Sequence, residues 1–356
     1  MKKVLKVLAL LLGGVVLAIA AFVGWAYANV ANRMDTPYAF EYRDVPIPWP
    51  LTDAEVSQLR AEKAAEIAAT FSGDGAPAYE SAGAPPVVVD PAADPLAGVD
   101  LIALASERAV ARGKHLIEAR LGCTECHGAD LGGAVVIDDP AIGRLACPNI
   151  TTGKGGKTAG WTGKDWDRIV RHGVRADGGA VVMPATDFAM ISDQELSDLV
   201  AFIRAQPPVD RDQEGWRLGP VLTILYATGK ANISAEAIDH KASRPVEAPV
   251  ATADASFGKH LAEVCTGCHG PTLAGGPIAG GDPAWPPAGN LTPDATGTKG
   301  WTLADFTKVL REGIRPDGTT VDKSMPVVMT KNMTDTEIAA LYAYTQSIPP
   351  LAKGAR

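Results

Sequence analysis

The sequence predicts an all-α protein in which two copies of one small helical domain stand in tandem behind a single N-terminal transmembrane helix. Three observations predict it. The chain opens on a long uncharged run, an ordered set of short motifs occurs twice, and the same helix-start signals recur in each copy. No period-two alternation is long enough to mark a sheet. The 356 residues are 46% hydrophobic, enough for two domains at roughly 150 residues each. Glycine (37) and proline (27) make up under a fifth of the chain, below the roughly 25–30% of a low-complexity sequence. Aromatics are only 6%, so the cores are filled by aliphatic side chains or by something that is not an amino acid. Five cysteines exclude an all-disulfide framework, because the count is odd. A formal charge of -8 with no basic face excludes nucleic acid as a partner.

The first element, residues 1–33, carries Lys2, Lys3 and Lys6 before 22 uncharged residues, Val7 to Ala28, that end in Trp25 and Tyr27. A helix of that length crosses a hydrocarbon core of about 30 Å. The lysines place its short amino end in the cytoplasm and everything beyond Asn29 outside, so the expected location is the inner membrane with the body of the protein periplasmic. A cleaved leader is the competing reading, since Ala26-Tyr27-Ala28 has the pattern of a cleavage site. The run is longer than the roughly 7–15 residues of a leader's apolar core, which favours a retained anchor. Residues 34–104 then read as a Pro- and Ala-rich spacer (Pro46, Pro48, Pro50, Pro85, Pro86, Pro91, Pro95) with one helix near Asp53 to Thr70.

The repeat follows, with domain 1 at 105–208, a linker at 209–253 and domain 2 at 254–350. Gly113-Lys-His-Leu, Asn149-Ile-Thr, Gly160-Trp-Thr, Arg171-His-Gly-Val-Arg-Ala-Asp-Gly178 and Met183-Pro184 are matched by Gly258-Lys-His-Leu, Asn290-Leu-Thr, Gly300-Trp-Thr, Arg311-Glu-Gly-Ile-Arg-Pro-Asp-Gly318 and Met325-Pro326. A first helix is expected over Arg108 to Gly122 in one copy and Ser256 to Val264 in the other. Thr162-x-x-Asp165 and Thr302-x-x-Asp305 suggest a middle helix in each, ending near Gly173 and Gly313. Ser192-x-x-Glu195 and Thr334-x-x-Glu337 are capping boxes for a last helix, stopped by Pro207-Pro208 and Pro349-Pro350. The linker's apolar patch, Leu218 to Ala227, is too short to span a bilayer and is expected to pack against a domain or a partner.

The chemistry lies in Cys123-Thr-Glu-Cys126-His127 and Cys265-Thr-Gly-Cys268-His269. Two thiols about one helical turn apart can add to the two vinyl groups of one porphyrin, and the adjoining histidine gives the iron an imidazole nitrogen, so each motif is a c-type haem attachment sequence. A redox dithiol or half a zinc site are the rivals. The histidine following directly in both copies, with no βαβ context, weighs against them. Two covalent haem c groups are therefore expected. For the sixth ligand a methionine thioether suits the iron and raises its potential. Met183 lies 56 residues after His127 and Met325 lies 56 after His269, across a repeat that has gaps between, so the metal ligands are expected to be His127, Met183, His269 and Met325. Met190, Met329 and Met333 are alternatives whose plainer reading is apolar packing.

With these residues in view, both repeats resemble class I cytochrome c domains. The full motif set is similar to that of the multihaem cytochrome subunits of bacterial membrane-bound alcohol and gluconate dehydrogenases. Those subunits usually bear three haems, and this chain has two attachment sequences. The resemblance spans about Ala105 to Pro350. It implies a porphyrin at the centre of each domain and electron transfer in the periplasm, with no catalytic residue. It also implies a partner that is a membrane-bound respiratory or dehydrogenase complex or a soluble redox protein. A dihaem subunit of a terminal oxidase is an alternative, and a dihaem peroxidase or sulfur-compound dehydrogenase a weaker one, because catalysis at iron usually needs an open sixth site. Gly113 and Gly258, facing Phe202 and Tyr344, resemble the crossing of first and last helices in this fold.

Other residues carry two readings. Trp161 and Trp301 are either propionate donors or core. Asn149, Asn290, Arg175 and Arg315 are either propionate partners or, for the arginines, solvated loop residues. His115 and His260 sit too close before the cysteines to reach the far face of an iron. His172 and His240 are the other histidines outside the motifs. Cys147, matched by Ala288, is read as a small buried hydrophobe.

Overall fold

The computed structural model describes residues 2–72, 94–213, 215–278, 281 and 284–355. The spacer prolines Pro85, Pro86 and Pro91 lie outside the described residues. The first helix runs Lys2–Asp35. Its side chains face outward through Trp25, which is 50% exposed, and then Ala26, Val30 and Met34 are buried. These three lie at successive i, i+4 positions and therefore on one face. Val30 and Met34 on that face pack against Leu222 and Tyr226 of a short helix, Pro220–Ala227, together with Ala231 and Ile233. The linker's apolar patch thus packs on the end of the N-terminal helix. Arg33 fixes the junction, donating from Nε to Glu236 Oε1 at 2.9 Å and from Nη1 to the Tyr226 carbonyl at 2.9 Å.

Each domain is built on a crossing of its first and last helices. In domain 1 the first helix, Leu101–His115, starts on Asp100, whose carboxylate accepts from the Ile102 and Ala103 amides. It continues as a π-helical turn, Leu116–Leu121, and stops at Gly122 in the left-handed region (φ 60°). In domain 2 the first helix is Ala255–Ala262, capped by Asp254. The last helices, Asp193–Ala205 and Asp335–Ser347, both open on complete capping boxes, as do the middle helices Gly163–Val170 and Leu303–Glu312. Glycine at the crossing is obligatory. A Cβ on Gly113 would lie 1.9 Å from the Asp198 carbonyl and 2.8 Å from Phe202 Cβ, and one on Gly258 would lie 1.9 Å from the Ala340 carbonyl and 2.8 Å from Tyr344 Cβ.

The protein is mostly helical, with one small antiparallel sheet in the order β1-β2-β3, formed by β1 (Ala134–Asp139), β2 (Gly143–Cys147) and β3 (Arg217–Leu218). Its strands are short and half-exposed, and β1 is irregular between Val135 and Ile137, so no clean alternation exists for a sequence pattern to reveal. The start of the spacer is more than a tether. Val45 and Trp49 are buried in the domain 1 core with Leu116, Ile117, Trp166 and Leu196, and Ser197 Oγ donates to the Pro46 carbonyl at 2.6 Å. The spacer helix runs Asp53–Ser72. The linker also lies on domain 1, where the Asp193 and Gln194 amides at the start of the last helix donate to the Pro245 and Val246 carbonyls, each at 3.0 Å.

Candidate haem sites

Cys123–His127 forms a single helical turn between Gly122 and Gly128, both with positive φ. In the second copy Thr266–His269 forms the turn, with Cys265 as its N-cap. The two thiols of each motif are thus one turn apart, with the imidazole following. His127 Nδ1 lies 2.8 Å from the Pro148 carbonyl, and His269 Nδ1 lies 2.8 Å from the Gly289 carbonyl. A carbonyl only accepts, so Nδ1 carries the proton in both rings and Nε2 keeps its lone pair for a metal. Burial lowers the pKa of both imidazoles, keeping them neutral. It also pushes the Cys123 and Cys265 thiols up to about 12, so both are protonated thiols as folded. Two thiols and a neutral imidazole with Nε2 free form a donor set that fits one haem c per domain.

The methionine loops are alike in backbone and different in surroundings. Met325 packs on the same core as Cys265 and Trp301. Met183 packs on Ala185, Ala189 and Ile238, and its carbonyl accepts from Ser234 Oγ of the linker at 3.0 Å. Met333 is core, Met329 reaches Gly122 of domain 1, and Met190 lines a narrow crevice with Arg120 and His260.

Several candidate propionate donors are occupied within the protein. Asn149 Nδ2 donates to the Val209 and Arg211 carbonyls at 2.6 and 3.1 Å, and Asn290 Nδ2 to the Leu351 carbonyl at 2.7 Å. Each asparagine ties the loop after the haem motif to the segment leaving the last helix. Arg175 holds Asp35, Asp177 and the Ala180 carbonyl, and Arg315 holds the Thr320 carbonyl, so both brace their own loops. Trp161 packs edge-on to Trp166, ring centres 5.1 Å apart. The Trp166 indole N–H is buried without a hydrogen-bond partner among the described residues. It stands where domain 2 has Phe306.

Cys147 departs from the expected buried hydrophobe: it is half-buried, and its thiol sits beside that of Cys126. That proximity lowers the Cys126 pKa and raises that of Cys147. Its position at the end of β2, beside Pro148, brings the fifth sulfur to the haem motif. The hairpin that does so has no sequence signal. Buried His172 and half-buried His240 form a pair, Nδ1 to Nδ1 at 2.7 Å, with Phe40 of the spacer stacked on His240.

The remaining histidines join the domains. His115 Nε2 lies 2.8 and 2.9 Å from the Glu337 carboxylate oxygens, and His260 Nε2 lies 2.8 and 3.0 Å from those of Glu195. Each glutamate is also the third helical residue of its own capping box. Arg120, on the π-helical turn that the second copy lacks, sits between them, 2.8 Å from Glu195 and 4.0 Å from Glu337. Burial pushes Glu195 up, but His260, Arg120 and the Ser192 amide outweigh it and hold it well below the usual carboxylate range. Glu337 is held low against burial by His115, the Thr334 amide and Arg120. The same exchange brings the haem motifs together. Asp187, four residues past Met183, lies against Gly267 of the domain 2 motif, where a Cβ would come within 2.6 Å of its carboxylate. Met329, four residues past Met325, lies against Gly122 before the domain 1 motif, its sulfur 3.0 Å from a Cβ placed there. The Ser/Thr-x-x-Glu boxes and the repeated Lys-His-Leu are both visible in the sequence, but nothing in it says that each serves the other's domain.

Against known proteins, the cytochrome c family model matches residues 110–207 and 255–349, together more than half of the chain. A dihaem cytochrome c-type protein of Cereibacter sphaeroides is 28% identical over 258 residues, 65% of this chain and 83% of its own length. The cytochrome c subunit of the quinone-dependent alcohol dehydrogenase of Gluconobacter oxydans is 33% identical over 153 residues, 40% of this chain and 29% of its own. The fructose dehydrogenase cytochrome subunit of Gluconobacter japonicus is 26% identical over 286 residues, 70% of this chain and 55% of its own. The chain therefore spans about half or less of these dehydrogenase subunits.

Proposed function

Because this chain belongs to the cytochrome c family and transfers electrons through two c-type haems, we propose that it is a membrane-anchored periplasmic relay serving a membrane-bound dehydrogenase. In this reading Cys123 and Cys126 would hold the first haem by thioether links, and His127 and Met183 would supply ligands to its iron. Cys265, Cys268, His269 and Met325 would do the same for the second. Bound haems would supply the one-electron couple, and methionine with histidine as the iron's ligands would set it at relatively high potential. The chain's own groups do the rest. Pro148 and Gly289 carbonyls orient the imidazoles, and burial keeps those rings neutral. The orphaned Trp166 N–H offers a donor for a buried propionate.

The observation that carries the proposal is the reciprocal contact between each haem motif and the loop four residues past the other domain's methionine. It brings the two motifs to one interface, so an electron entering one domain has a short path to the other. The supported partner is a dehydrogenase, since several relatives are cytochrome subunits of such enzymes. The N-terminal helix, apolar and outward-facing until it enters domain 1, supports a retained anchor with both domains on the periplasmic side. The test is affinity purification of the full chain from detergent-solubilised membranes, followed by addition of alcohols, sugars and sugar acids. Co-purification of a dehydrogenase whose substrate reduces both haems is the expected result. A chain that co-purifies with an oxidase alone, and is reduced by no dehydrogenase substrate, would overturn the dehydrogenase partner.

A further inference from the structure

The N-terminal helix enters domain 1 without a hinge. Between Lys6 and Ala26 it rises about 30 Å, the thickness of the hydrocarbon core. Ala26 is also the first residue of the helix to be buried by the rest of the chain. Domain 1 therefore starts where the bilayer ends. The helix Pro220–Ala227 packs on the turns that follow, its Leu222 and Tyr226 turned in toward Val30 and Met34. It contains no charged residue, and its other face is apolar, with Val221 39% exposed and Ile224 half-buried. Arg217 and Lys230, both exposed, flank it. The turn of the β1–β2 hairpin is tied to its start, the Val221 amide donating to the Ala141 carbonyl at 2.9 Å and the Gly219 amide to Ile142 at 2.8 Å. Trp25 and Tyr27, 50% and 40% exposed, lie on the neighbouring turns of the N-terminal helix, at the level where aromatic residues mark the interface.

We propose that the outward face of helix Pro220–Ala227 rests in the headgroup layer of the bilayer as a second membrane contact, with Arg217 and Lys230 facing anionic lipid. An apolar face flanked by cations is the composition of an interfacial helix. Continuity with the spanning helix sets its depth. The consequence is orientation: domain 1 is held at fixed height and tilt, and domain 2 is carried on it through the Arg120 interface. This rests on the reading of Lys2–Asp35 as a retained anchor.

The test reconstitutes the full chain in liposomes containing anionic lipid and a photoactivatable lipid with its diazirine near the glycerol. Tryptic peptides are then mapped. Label on both Val7–Arg33 and Leu218–Lys230 is expected. Label on Val7–Arg33 alone would overturn the second contact and leave the anchor standing, whereas label on neither would overturn both. In Val221→Glu, label on Leu218–Lys230 is expected to fall to background while label on Val7–Arg33 and the haem spectrum stay unchanged. Undiminished label on Leu218–Lys230 in that variant would also overturn the proposal.

Discussion

Equivalent residues of the two domains begin from the same motif and end in opposite environments. Arg171 and Arg311 hold the same place at the end of the middle helix. Arg171 is completely buried, bound to Asp167, Asp193 and the Ile191 carbonyl. The side chain of Arg311 is 32% exposed, bound to the Lys331 carbonyl and to Asp335, which is itself 93% exposed. Gly163 and Leu303 tell the same story from the other side. A Cβ on Gly163 would lie 1.9 Å from the Val45 carbonyl of the spacer, while Leu303 is 41% exposed. Domain 1 is wrapped by the spacer, the linker and the end of the N-terminal helix, and domain 2 is bare at the matching surfaces. The lesson is that a duplicated haem fold is specialised by what is laid over it, with its metal-binding motif unchanged. One half is covered by the N-terminal helix, spacer and linker, and the other keeps its matching surfaces open.

The largest expected effect tests that asymmetry. Arg171→Ala leaves Asp167 buried without its arginine and Asp193 with Arg43 alone, and should cost about 3 kcal/mol or more. Arg311→Ala should cost under about 1 kcal/mol, because its pair is exposed. Thermal unfolding followed through each haem checks this, and equal losses would erase the distinction between wrapped and bare halves. Next comes the joint between the domains. Arg120→Ala strips the shared cation from Glu195 and Glu337, at about 3 kcal/mol by the same reasoning, and should split one cooperative melt into two. A single unchanged transition would mean the domains are held by packing alone.

Acid should separate the halves more gently. Burial, aided by Arg244, pushes His172 down to about 3, so the folded protein keeps it neutral while the unfolded chain takes up a proton near 6.5. The stability this group lends is whole above about pH 6.5 and is lost as the pH falls toward its folded value. Glu195 and Glu337 are depressed carboxylates, so theirs is present above their ordinary pKa near 4.3 and is lost only below it. Between about pH 6 and 5, amide exchange in Gly163–Val170 should therefore quicken relative to Leu303–Glu312, where the residue matching His172 is Glu312. His172→Phe should flatten the difference. The smallest effect concerns Cys147. With four sulfurs in thioether links, denatured chain should take up one alkyl group, and Cys147→Ser none, with both haems retained in each.

Much of the site was legible because its chemistry is local. Two thiols and an imidazole must share a turn, and both copies form that turn. The capping boxes were legible for the same reason, since each closes within four residues. What escaped the sequence is long-range. Val45 and Trp49 are isolated apolar residues in a Pro-rich stretch, with no periodicity to mark them as core, and the only trace of their docking is a glycine at 163 where the second copy has leucine. The half-exposed hairpin offers no alternation. His115 and His260 are unreadable as partners of Glu337 and Glu195 without knowing that the domains face each other.

The most direct test of the account is electron paramagnetic resonance of the oxidised full chain in a bilayer, with carbon monoxide added after reduction. The account predicts two low-spin ferric haems and no carbon monoxide binding. Met183→Ala and Met325→Ala should each remove one low-spin signal and open one iron to carbon monoxide. A high-spin, carbon monoxide-reactive haem in the unaltered chain, or methionine variants that keep both signals, would contradict it.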